Sequence, residues 1–233
     1  MKYIFFSLFV VIKSSVPTEH ITVEKLECQM TTPKSILIIG DSQSAVVTLS
    51  GEKITWTWPN LLEKELKNCG TKIDVVALGG KTTKWMLVNG RKKLQTTQYD
   101  RVIIYGGGND ASNMSINLDT TISNIQRLID LSLLNGSDVW INLGWKIEGK
   151  FMDINILPLG RPANLLKKRS DWLPYIERRK QLQKLLKERL IGCQFIEPYD
   201  LMSLTRDGIH PTPDGHKLVS SYILQTIDTT NCK

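Results

Sequence analysis

Short apolar runs alternate with longer amphipathic stretches from Ser35 onward. Ser35–Gly40 (SILIIG) reads as a buried strand, as do residues 72–78 (KIDVVAL), Arg101–Tyr105 (RVIIY), 138–143 (DVWINL) and the short run 193–196. Helical spacing fills the gaps. Residues 59–68 place Leu61, Leu62 and Leu66 on one face, with Pro59 in the first turn and Gly70 just past the end. A weaker helix is predicted at 84–94. Leu118–Leu134 carries Ile122, Ile125, Leu128 and Ile129 and stops at Asn135-Gly136. A long basic helix is predicted at 175–190. A last one runs over 212–227, with Thr212 as N-cap and Pro213 at the first helical position.

Five strands separated by helices predict a three-layer α/β/α sandwich around a five-stranded parallel sheet, for which a flavodoxin-like order 2-1-3-4-5 is supposed. Ligands of such sheets bind beyond the carboxyl ends of the strands. The chemistry-bearing residues fall there. The first strand runs into Gly40-Asp41-Ser42, the second into Gly79-Gly80, and the third into Gly106-Gly107-Gly108-Asn109-Asp110. Asp207-Gly208-Ile209-His210 follows the fifth strand. A hydroxyl, glycine N–H groups, a carboxamide and an Asp/His pair are the inventory of nucleophilic acyl transfer.

These four blocks, in this order, resemble the SGNH/GDSL hydrolase family over roughly residues 35–227, and the Trp58-Pro59-x-Leu61-Leu62 entry to the first helix fits as well. Gln43 departs from the family name, giving GDSQ. The resemblance implies a serine esterase. Ser42 would be the nucleophile, His210 the base and Asp207 its orienting partner. The Ser42 and Gly80 N–H groups and the Asn109 amide would form the oxyanion hole. Gly80 rather than Gly79 is assigned because Thr82-Thr83 follow it in the family's spacing. Asp41 and Trp145 are expected to contact substrate, Trp145 at the pocket mouth. His216 reads as structural or exposed.

Composition narrows the field. With 41% hydrophobic and 23% charged residues the chain is an ordinary globular protein, not a fibrous or disordered one. Only His20, His210 and His216 occur and no CxxC pair exists, which excludes zinc fingers and multi-His centres; no metal or cofactor is expected. Two rival motifs fail. Gly106-x-Gly108-x-x-Ala111 satisfies a dinucleotide string, but residues 109–117 are polar and turn-like where a helix should open. Gly80-Lys81-Thr82 resembles a P-loop end, yet Val75 stands where its first glycine belongs.

Net charge is +7, and all of it lies between Arg161 and Arg189, where ten basic residues meet three acidic ones. Such a patch around Lys167-Lys168-Arg169 suits an anionic polymer, although charge runs are more often solvated helix faces. No nucleic-acid motif accompanies it. The partner expected is an ester substrate, with an O-acetylated envelope or capsule glycan suggested by analogy. An acyltransferase of the same fold, or a catalytically silent glycan-binding protein, are the alternatives.

Tyr3 to Ile12 is uncharged, too short to span a bilayer and similar to a signal-peptide core, though Lys13 follows at once and no A-x-A site is visible. Residues 1–16 are therefore expected to be a signal peptide or N-terminal anchor, 17–34 an arm, and 35–228 the catalytic domain of a secreted or extracytoplasmic protein. Cys69 and Cys193 precede strands at opposite sheet edges, roughly 19 Å apart by strand spacing, so they should not pair. Cys28 and Cys232, on the two arms, are the better disulfide candidates.

Overall fold

The computed structural model describes residues 32–146, 169–201, 204–205 and 209–229. Five strands, β1 (Ser35–Gly40), β2 (Lys72–Ala77), β3 (Arg101–Tyr105), β4 (Asp138–Asn142) and β5 (Gln194–Ile196), form one sheet. All neighbours are parallel, and the order is β2-β1-β3-β4-β5, the expected doubly wound arrangement. Among the described residues six α-helices flank it: α1 (Trp58–Leu66), α2 (Thr83–Thr96), α3 (Gly108–Ser112), α4 (Leu118–Leu134), α5 (Arg169–Arg189) and α6 (Pro213–Thr229).

Strand alternation sorts the core into two layers. Leu37, Ile39, Val102, Ile104, Val139 and Ile141 face one side and pack with residues of α2, α4 and α5. Ile36, Ile38, Ile103, Tyr105, Trp140 and Ile196 face the other and pack with Trp58, Leu62 and Leu66 of α1 and with Val219, Ile223 and Ile227 of α6. A strand buried on both faces needs an unbroken apolar run, as β1 and β3 have. Each such Ile or Leu contributes about 1.5–3 kcal/mol by leaving water.

Two helix starts differ from expectation. A five-residue helix, α3, opens at Gly108, where the sequence reads as turn. It is one turn long, and Asn109 and Asp110 are committed to contacts described below. Helix α5 begins at Arg169 and passes through Pro174, which the sequence suggests as a boundary. A proline this near the start removes one backbone donor and leaves the rest of the ladder intact.

The basic stretch is largely tied into the protein where it is described. Lys180 pairs with Glu177, Lys184 with Glu188, Lys187 with Glu197, and Arg189 with Asp119. Arg178 donates to the Ile116 carbonyl, and Arg179 is buried. Lys167, Lys168 and the N-terminal leader lie outside the described residues. No described helix is long and apolar enough to cross a membrane.

Cys193 is a free thiol and Cys69 is disulfide-bonded, so these two do not pair, as the strand order requires. Cys28 and Cys232 lie outside the described residues. Burial pushes the Cys193 thiol up to about 11. A thiol so raised is almost wholly protonated at pH 8 and a poor nucleophile. Iodoacetamide at pH 8 should accordingly leave Cys193 unmodified in the native protein and label it in urea, as peptide mapping will show; rapid native labelling would contradict its burial.

Candidate active site

Everything begins at the end of β1. The chain turns so sharply there that a Cβ on Gly40 would sit 2.8 Å from the Tyr105 carbonyl oxygen and 2.7 Å from Ser44 Oγ. Only glycine fits. Asp41 accepts from the Gln43 N–H at 3.0 Å and its own carbonyl accepts from the Ser44 N–H at 3.1 Å, closing the turn around Ser42. Ser42 is half-buried at the apex. Its Oγ lies 3.0 Å from His210 Nε2, hydrogen-bond distance for a nucleophile and its base.

The second block lies beside it. A Cβ on Gly79 would be 3.9 Å from Ser42 Cβ, so this glycine, not singled out by the spacing, borders the serine most closely. Gly80 has a φ of 73° and open space around it. Asn109, from α3, donates through Nδ2 to the Lys81 carbonyl at 2.9 Å, fastening the third block to the second. An amide NH₂ carries two hydrogens, so a second donor remains for a ligand. Asp110 is buried and turned away from Ser42. It accepts from the Thr83 N–H at 2.9 Å and from Thr83 Oγ1 at 2.6 Å, and so caps α2 directly after the glycine turn.

Asp41 and Trp145, the expected substrate contacts, are both buried. Each is only 3% exposed. Asp41 belongs to the turn itself, and burial holds its carboxyl above the ordinary range against the Gln43 N–H bond and the charge of Arg179, which both lower it. Trp145 packs with Tyr105 and Tyr199 beneath the site, and the Arg179 guanidinium stands 5.6 Å from its ring. Asp207 lies outside the described residues. No cluster of metal-ligating side chains occurs among the described residues.

Three further groups support the site, of which His216 fits its structural reading and Gln43 has no role assigned from the sequence. Trp58 Nε1 donates to the Gln43 carbonyl at 2.9 Å. His216, buried, accepts from the Trp58 N–H through Nδ1 at 3.1 Å. Gln43 reaches the Ile209 carbonyl with its side chain at 2.8 Å. All three act on or through the main chain, which no side-chain motif records; the Trp58-Pro59 entry to α1 was the one available signal. The arrangement as a whole supplies a hydroxyl with an adjacent base and donors beside it, the parts that acyl transfer needs.

The family described as GDSL-like lipase/acylhydrolase matches residues 38–218. Solved structures share the fold. TesA is 21% identical, with 83% of this chain and 97% of that chain covered and a TM-score of 0.57. The psychrotrophic esterase EstA from Pseudoalteromonas sp. is 17% identical, with 86% and 100% covered and a TM-score of 0.59. A catalytic mutant of Axe2, an acetylxylan esterase from Geobacillus stearothermophilus, is 15% identical, with 83% and 94% covered and a TM-score of 0.60. Among curated proteins, none matches the chain.

The tight turn makes a direct prediction. Gly40→Ala should destabilise the fold by about 1–3 kcal/mol through overpacking and should displace Ser42. Urea denaturation together with an esterase assay checks it; an unchanged midpoint with unchanged activity would mean that the turn relaxes freely.

Proposed function

The chain belongs to the GDSL-like lipase/acylhydrolase family and is an esterase of the SGNH type, and from that premise we propose that Ser42 and His210 carry its hydrolysis of O-acyl esters. The observation that carries this reading is the 3.0 Å contact between Ser42 Oγ and His210 Nε2. His210 takes the hydroxyl proton as Ser42 Oγ adds to the acyl carbon. Charge gathers on the former carbonyl oxygen, where the Ser42 and Gly80 N–H groups and the free Asn109 N–H receive it. Collapse of the intermediate breaks the bond to the alcohol, which leaves with the proton from His210. Water then repeats the sequence on the acyl-enzyme, releasing the acid and restoring Ser42. Asp207 is the proposed orienting partner of His210.

The proposed substrate is an O-acetyl ester of a glycan outside the cytoplasm. Three features support it: the apolar leader at Tyr3 to Ile12, the disulfide at Cys69, and an acetylxylan esterase among proteins of the same fold.

The test compares p-nitrophenyl acetate with longer acyl esters and with acetylated xylan. Acetyl esters should be preferred and acetate released. Ser42→Ala and His210→Ala should each lose about 10⁴-fold or more in turnover with the fold retained. Asn109→Ala should lose about 10²–10³-fold, in kcat more than in KM. Wild-type turnover by Ser42→Ala would rule the mechanism out.

A further inference from the structure

Gln43 occupies the position after the nucleophile, and its contacts reach three separate elements. Its N–H donates to Asp41 Oδ1 at the end of β1. Its carbonyl accepts from the Trp58 indole at the start of α1. Its side-chain Nε2 donates to the carbonyl of Ile209, 166 positions away, at 2.8 Å. Ile209 directly precedes His210 in the chain. The residue is 6% exposed, and its Oε1 is buried without a hydrogen-bond partner among the described residues.

That last detail is informative. A buried amide oxygen left unpaired costs stability, whereas an apolar side chain of similar size would not. A second bond reinforces the junction from the far side, where His216 on α6 accepts from the Trp58 N–H. His210 itself stands on irregular chain ahead of α6, and such segments move unless something fixes them. From these observations we infer that Gln43 is a positioning residue: its side-chain amide holds the His210 segment against the Ser42 turn and so sets the distance between nucleophile and base. The inference rests on the assignment of Ser42 and His210 given above.

Gln43→Met keeps the length and burial of the side chain and removes the donor. Its thermal midpoint should stay within about 5 °C of wild type. Its kcat should fall about ten- to hundred-fold, as displacement of a base by a fraction of an ångström to an ångström requires, while KM changes less than about twofold. Gln43→Glu separates a tether from mere packing. Protonated, the carboxyl donates to the Ile209 carbonyl as the amide does; ionised, it repels that oxygen. The ratio of Gln43→Glu to wild-type kcat should therefore fall as pH rises from 5.5 to 9. A side chain that only fills space would leave the ratio unchanged across that range.

Wild-type kcat in a folded Gln43→Met protein overturns the inference, as does a Gln43→Glu ratio that is flat or rising. Should Gln43→Met fail to fold, the Gln43→Glu profile decides by itself. Ser42→Ala runs alongside. If it is inert while Gln43→Met matches wild type, the tether alone is refuted. If Ser42→Ala turns over normally, both readings fall.

Discussion

The 3.0 Å approach of Ser42 to His210 joins residues 168 positions apart, and no local structure imposes it. It exists because β1 and α6 are fixed against the same apolar layer. Ile36 and Ile38 of β1 and Val219, Ile223 and Ile227 of α6 are all buried in one cluster with Trp58 of α1. Packed interiors deform little, so a hydroxyl and an imidazole mounted on such a layer keep their separation without a covalent link. Polar contacts then refine what packing sets. Gly40 brings the turn against β3, Trp58 holds its outgoing carbonyl, and His216 fixes Trp58.

The region beneath the serine is costly to the fold. Asp41 is buried with its carboxyl raised, chiefly by loss of solvent. A carboxyl raised on folding binds its proton more tightly in the native state, so ionising it takes stability away as pH climbs through that range. Arg179 offsets part of the cost, reaching in from α5 to lower the Asp41 carboxyl while its plane lies near Trp145.

Much of this was legible in the sequence because it is periodic or local. Two-sided strands betray themselves as apolar runs, and the four polar blocks stand where those runs end. Handed crossovers placed helices on both faces, and the supposed flavodoxin-like strand order is the one observed. What stayed hidden depends on main-chain partners or distant ones. Gln43 looks like a neutral departure from a motif, since its partner is the carbonyl of Ile209 rather than a side chain. Asp110 looks like part of the catalytic block and instead caps α2 through Thr83, 27 residues earlier. Asp41 and Trp145 sit at strand ends, as ligand-binding residues do, but their side chains turn inward. The direction of a side chain at a strand end is set by the turn that follows, which the sequence pattern does not encode.

Charge shows the same limit from another side. The excess of basic residues between Arg161 and Arg189 suggests a surface for anionic polymers. Along α5, however, the cations have internal tasks. Arg189 spans to Asp119 at the start of α4, and Lys187 to Glu197 just beyond β5. Arg178 donates to the carbonyl of Ile116 in the turn ahead of α4, while Arg179 lies under the site. A guanidinium satisfies a buried carbonyl or carboxylate and shields apolar surface with its stem, so it can be recruited for docking a helix as readily as for binding a ligand. On α5, Arg178, Lys187 and Arg189 thus attach the helix to α4 and to the end of β5, while Arg179 reaches the Ser42 turn through its charge on Asp41.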